Sequence, residues 1–352
     1  MAVSHGESGS GVMEFINTEP TLANYWRSII LFGQNTASYK FALAKALIES
    51  GRKPNGDLVT LETLAEPFSR HMCEHLTKTD KQGTRPIGRF LDACRQFNNG
   101  QLSQTQLIDV TQREGFKYVL DAFHNVNQGE LPKRFFIDER RSSGGIRLTD
   151  QLFELFGQSC ADSLLHETEA RWRLVETAWE LNISRNLIAV HADPVLDVLF
   201  TEIAGRRTDI TSGRDALNGY QKGKCFYCYK PISVVSGSID LADVDHFLPH
   251  KLKELSFGPN WDGVWNLVLA CSDCNRGAAG KFAKVPKLHL LKRLHKRNEY
   301  LITSHHPLRE TLIQQTGKTA QDRHAYLQKR YDEALVSLIQ TWEPESSGDP
   351  AF

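Results

Sequence analysis

Two Cys-x-x-Cys pairs constrain this 352-residue chain more than any other feature: Cys225 and Cys228 in GKCFYCYKP, and Cys271 and Cys274 in LACSDCNRG. Each pair can form a knuckle that offers two thiolates to one ion, and together they make a tetrahedral four-sulfur site. A single Cys-x-x-Cys suits a redox motif; two pairs do not. In a reducing compartment the pattern favours zinc over disulfides. Four thiolates fill the coordination of zinc, so the expected ion is structural Zn²⁺ with no open position for chemistry. Cys73, Cys94 and Cys160 are scattered in helical-looking sequence and read as small buried hydrophobes.

Around this frame the chain reads as an α+β protein in two parts. Residues 1–13 form a polar leader without the charged and apolar regions of a signal peptide. No stretch approaches the ~18 apolar residues that span a bilayer, so a cytoplasmic protein is expected. Residues 14–205 read as a mostly helical domain of unknown role. Helical patterns run over 22–35, 37–50, 60–78, 84–98, 103–124, 149–158 and 162–182. Two short strand-like pieces flank the Ser-Gly-Gly turn of RFFIDERRSSGGIRLT. The polar stretch AGRRTDITSGRD, 204–215, marks the expected boundary.

From Tyr220 the grammar changes. CFYCYKPISVVSGSIDLADVDHF is rich in β-branched and aromatic residues about a Ser-Gly-Ser turn, and is expected to form a hairpin. NLVLA leads into the second cysteine pair, and SDCNRGAAGKF is expected to open a helix capped by Ser272 or Asp273. Within ADVDHFLPH, Asp243, Asp245 and His246 crowd a segment that otherwise reads as a buried strand. Burying a charge is costly unless something pairs with it. Either the strand end faces water, or it holds a cation. Adjacent strand side chains point to opposite faces, so Asp245 and His246 serve one site only if the strand ends or bends there. Pro249 fits such an ending.

From GYQKGKCFYC through DVDHFLPHKL to WNLVLACSDCNRGAAGK, about 65 residues, the chain resembles the HNH nucleases of the ββα-metal fold. DVDHFLP with SDCNRG is also similar to the HNH domain of RNA-guided CRISPR nucleases, which lacks the cysteines. The resemblance implies an HNH domain over 215–285 and a metal-dependent endonuclease that hydrolyses DNA, double-stranded DNA being the expected substrate. His246 would be the general base. Asp245 and the Asn275 carbonyl would hold a catalytic Mg²⁺ or Mn²⁺. Asn266 would orient His246 or brace the loop. Asp243 reads either as support for the metal site or as a solvated acid, and His250 as a loop residue that could touch phosphate. A monomer with one such site nicks. Stand-alone HNH proteins of this build resemble prokaryotic anti-phage effectors of the Zorya or Septu sort, with protein partners from a defence operon; that role is analogy at the level of the fold.

Charge supports a nucleic-acid partner only locally. Lys plus Arg equals Asp plus Glu over the whole chain, 42 each. Between Arg276 and Arg330, however, thirteen Lys and Arg face three Asp and Glu, a balance of +10. Residues 286–345 are expected to be basic helices packing on the nuclease domain, with Leu288, Leu291, Leu294 and Leu301 as the apolar stripe. Arg276, Lys281, Lys284, Lys292, Arg293, Lys296 and Arg297 are the candidate phosphate contacts. Two rival readings stand beside the enzyme: a zinc-stapled binding module without catalysis, and an adaptor whose helical domain carries the main role.

Overall fold

The structure, a computed structural model, describes residues 14–33, 37–52, 56–83, 88–126, 129–158, 160–180, 190–193, 196–203, 206–255, 261–304 and 308–352. It is an α+β chain that divides into two compact units: Thr21–Asn182, and Ile183–Phe352 together with Met1–Pro20. The division falls before the expected boundary at 204–215. The cause is that residues 206–215 of this stretch are a strand and a helix start rather than a linker.

The helical unit is built on α1 (Leu22–Phe32), α2 (Tyr39–Arg52), α3 (Leu61–Leu76), α4 (Arg89–Asn98) and α5 (Ala161–Glu180). Thr21 and Thr60 cap α1 and α3 by accepting from the backbone amides of Asn24 and Thr63. The apolar stripes meet in a core where Trp26, Phe41, Phe68 and Trp172 are fully buried. A small antiparallel sheet has the order β1 (Leu58–Thr60), β3 (Gly145–Leu148), β2 (Phe136–Glu139), as the Ser-Gly-Gly turn implies. Gly145 is required there, because a Cβ would lie 2.2 Å from the Val59 carbonyl. The expected helix at 103–124 is instead Gln104–Val110, a π-helical turn Thr111–Gly115 and Val119–Ala122. Residues 84–87 of the expected 84–98 helix lie outside the described residues.

A buried polar network ties α3 to α5. Glu176 Oε1 accepts from His75 Nδ1 at 2.6 Å and Gln82 Nε2 at 2.5 Å. Glu176 Oε2 accepts from Arg173 at 3.2 Å. The other ring nitrogen of His75 is 3.1 Å from Glu169, which also pairs with Lys45 at 2.7 Å. The His75 ring stacks on Trp172 at 3.4 Å. Such a network specifies one register of two helices, since sliding either helix strands several buried charges at once.

The second unit starts with an antiparallel meander: β4 (Val190–Asp193), β5 (Val198–Ile203) and β6 (Arg206–Ser212). Arg207 of β6 pairs with Asp193 at 3.0 Å and Asp209 at 2.8 Å and lies over the Phe200 ring. Charged side chains on the open face of a sheet explain why this strand looked like a polar linker. After α6 (Gly213–Asn218) come β7 (Asp243–His246), β8 (Leu267–Ala270) and α7 (Ser272–Arg276). The expected hairpin about Ser-Gly-Ser is not formed. The stretch 224–242 makes only isolated bridges, Lys224 with Pro231 and Ser233 with Leu241, and β7 pairs antiparallel with β8. β8 wins because all four of its residues are buried, so the apolar NLVLA segment gives β7 a core partner. The cap of α7 is Cys271, not Ser272 or Asp273.

Three helices follow: α8 (Leu288–Thr303), α9 (Leu308–Thr316) and α10 (Ala320–Ser337). The chain closes with β10 (Thr341–Trp342) parallel to β9 (Val285–Pro286). The buried stripe of α8 is Leu290, Leu291, Leu294 and Leu301, and Leu288 is exposed. No described helix is long and apolar enough to cross a membrane. Replacing Glu176 with Leu removes the shared acceptor of His75, Gln82 and Arg173, and should cost about 3 kcal/mol in urea unfolding. A loss under about 1 kcal/mol would mean that the network does not hold α3 against α5.

Candidate active site

The four cysteines meet. Their Sγ atoms all lie within 4.8 Å of one another, and Cys228 and Cys271 are 3.7 Å apart. That spacing is far too long for a disulfide, where sulfurs bond at about 2.05 Å. It matches a tetrahedron with metal–sulfur bonds of about 2.3 Å, whose edge is about 3.8 Å. All four thiols are free, and the group could hold a metal ion such as zinc. Among the described residues it is the one group of three or more His, Cys, Asp or Glu side chains so arranged.

Local backbone bonds shape each knuckle. Cys225 N–H donates to Lys230 O at 2.8 Å, and Tyr229 N–H to Cys225 O at 3.0 Å, with Tyr229 in the left-handed region at φ 61°. In the second knuckle Asn275 N–H donates to Cys271 O at 3.1 Å and Lys281 N–H to Cys274 O at 2.8 Å. Both knuckles hang on β8. Phe226 N–H donates to Leu269 O at 2.8 Å, while the buried Gln221 amide bonds both the N–H and the C=O of Leu269.

The strand pair then sets the candidate catalytic residues. β7 and β8 run with His246 opposite Leu267, Asp245 opposite Val268 and Asp243 opposite Ala270. Asn266 hydrogen-bonds the loop leaving β7. It is fully buried; its Oδ1 accepts from Leu248 N–H at 2.8 Å, and its Nδ2 donates to the carbonyls of Leu248 and Trp261, both at 2.9 Å. Its side chain makes no hydrogen bond to His246.

His246 Nε2 lies 2.9 Å from Asp262 Oδ1. Asp262 also pairs with Lys253, and His250 stands 3.8 Å from the same oxygen. Burial lowers the pKa of His246 below its usual value, and the Asp262 carboxylate partly opposes that. One ring nitrogen of His246 is thus held by a carboxylate. Asp262 is the residue that sequence reasoning missed. A lone acid in the segment NWDGVW carries no local signal that it will meet a histidine from a strand.

The expected metal ligand Asp245 is placed differently. Its Oδ2 accepts from the buried Tyr227 hydroxyl at 2.6 Å, and its Oδ1 pairs with Lys281 Nζ at 3.2 Å. Burial raises the pKa of Tyr227 and keeps it a donor. No hydrogen bond or ion pair joins Asp245 to His246 or Asn275. Asn275 instead donates to Asp243 at 3.2 Å, and Arg276 pairs with Asp243 at 3.1 Å. Asp243 and Asp245 lie two residues apart on β7 and so share one face, while His246 belongs to the other.

Of the seven candidate phosphate contacts, three have side chains enclosed or engaged within the protein. Lys281 is fully buried on Asp245. Arg293 donates to the carbonyls of Phe226 and Tyr227, each at 2.6 Å, and lies over the Tyr229 ring, bracing the first knuckle. Arg297 is fully buried, none of its side-chain nitrogens makes a hydrogen bond, and burial lowers its pKa to about 9. Lys296 pairs with Glu14 at 3.0 Å. Lys292 is exposed, Lys284 half-buried, and Arg276 keeps an exposed side chain while it pairs with Asp243.

Comparisons with family models, with curated proteins and with solved structures find no match to this chain.

Following the His246 ring by NMR should give a pKa below about 6.5 in the native protein. In Asp262→Asn it should fall further, because the carboxylate that stabilises the imidazolium is gone. A rise in that variant would contradict the pairing.

Proposed function

We propose that this protein is an HNH-type endonuclease that hydrolyses phosphodiester bonds in DNA, with His246 as the general base. The observation that carries this reading is the strand-end histidine held through Nε2 by Asp262 at 2.9 Å, on an antiparallel strand pair followed by a short helix and framed by four cysteines. An imidazole whose pKa burial lowers, with one nitrogen fixed on a carboxylate, can offer its other nitrogen to take a proton from an attacking water. The carboxylate restrains the ring and stabilises the imidazolium that forms, as in other histidine–carboxylate pairs.

A divalent ion supplies Lewis acidity at the scissile phosphate in this class of reaction. Asp245, engaged by Tyr227 and the buried Lys281, does not fit that task. Asp243 and Asn275 fit better, because the Arg276 side chain that also pairs with Asp243 is mostly exposed and free to move aside. Their side-chain polar atoms are 3.2 Å apart, close to the spacing of about 3 Å between neighbouring oxygens around Mg²⁺. The amide can also present its oxygen rather than its nitrogen. These two residues would hold Mg²⁺ or Mn²⁺. Arg276, Lys284 and Lys292 are the cations left to meet the phosphate backbone. One site per chain nicks one strand. A part in defence against foreign DNA, with partners from the same operon, follows from the resemblance alone.

One inference favours the binding-module reading: strand alternation turns His246 away from the Asp243–Asn275 pair on β7. The discriminating experiment is a supercoiled-plasmid assay in Mg²⁺ or Mn²⁺. Native protein should make open circles, EDTA should abolish them, and His246→Ala should reduce the rate about 10²-fold or more. Equal inertness of native and variant protein, with retained DNA binding, would favour the binding module.

A further inference from the structure

Asp245 stands where the resemblance places a divalent-ion ligand, yet the structure gives this carboxylate an ammonium instead. Both oxygens are engaged, Oδ2 by the Tyr227 hydroxyl at 2.6 Å and Oδ1 by Lys281 Nζ at 3.2 Å. Lys281 is fully buried and Asp245 is 8% exposed, so little of either group faces the waters that Mg²⁺ keeps when a protein binds it.

Nothing about Lys281 resembles a surface side chain that has fallen inward. Its backbone N–H is tied to the carbonyl of Cys274, one of the four clustered cysteines, at 2.8 Å. Its ammonium makes a second bond, to Phe282 O at 3.2 Å. Trp342 Nε1 pins the same loop by donating to Ala279 O at 2.7 Å. Immediately afterwards, Phe282 adopts a left-handed φ of 50°, a conformation that persists only where the surroundings dictate it. The loop from Cys274 to Phe282 is thus held at both ends in the form that delivers one positive charge to Asp245. Either charge alone would be stranded in the core; together they are matched.

We propose that Lys281 is the resident counter-ion of Asp245 and keeps divalent cations off this carboxylate. The chain carries its own monovalent cation at the position where the resembled nucleases take a metal. The proposal does not depend on DNA being cut: nicking stands or falls on His246, whereas ion binding is read without substrate.

The test uses full-length, zinc-loaded protein and follows free Mn²⁺ by electron paramagnetic resonance. Mn²⁺ affinity should change less than threefold between native protein and Asp245→Asn. Lys281→Met should gain a site at least tenfold tighter than any in the native protein, and the double variant Lys281→Met with Asp245→Asn should lose it. A threefold or larger loss in Asp245→Asn overturns the proposal, as does a folded Lys281→Met that gains no such site. If circular dichroism shows Lys281→Met unfolded, the comparison of native protein with Asp245→Asn decides alone.

Discussion

Four sulfur atoms within 4.8 Å of one another hold together two segments that the sequence keeps far apart, and the C-terminal unit is organised around them. The first knuckle is tied to β8 through Phe226 and to α8 through Arg293. The second opens α7, which carries Asn275, and anchors the loop that carries Lys281. A two-stranded sheet alone is marginal in water. Here its strands are held by an ion-sized cluster on one side and buried against apolar residues on the other. If the cluster holds an ion, losing it would release Asn275, Lys281 and β8 together, and metal binding would be coupled to the integrity of the site.

The alternation of strand side chains then divides the chemistry. β7 sends Asp243 and Asp245 one way and His246 the other. On one side, two carboxylates are met by Asn275, Arg276, Lys281 and Tyr227. On the other, Asp262 holds the histidine between Lys253 and His250. Every charge buried at this strand has a partner within the chain, which answers how a polar segment survives in an apolar setting. A hydrolytic reaction across β7 requires the phosphate to reach past the strand end, where Asn266 fixes the path of the loop.

Residues whose roles depend on near neighbours in sequence were readable beforehand. The cysteine pairs are set by knuckle geometry, and most helices of the N-terminal half by their apolar period. The Ser-Gly-Gly hairpin is marked by glycines that the turn needs. Residues whose roles depend on distant packing were not readable. The Ser-Gly-Ser segment has hairpin composition, yet β7 takes the more apolar β8. Asp262 gives no local hint of His246. Lys281 and Arg293 look like members of a basic face, but their partners, Asp245 and the first knuckle, are supplied by the fold. Arg297 is the exception that a stricter reading would have caught, because it shares helical spacing with the buried Leu290, Leu294 and Leu301.

The claim on which the rest depends is that one metal ion joins the two knuckles. X-ray absorption at the zinc edge, on full-length protein purified in zinc under reducing conditions, tests it most directly. The account predicts one zinc per chain with four sulfur neighbours at about 2.3 Å. A shell containing nitrogen or oxygen, or a protein that retains no zinc, would contradict it.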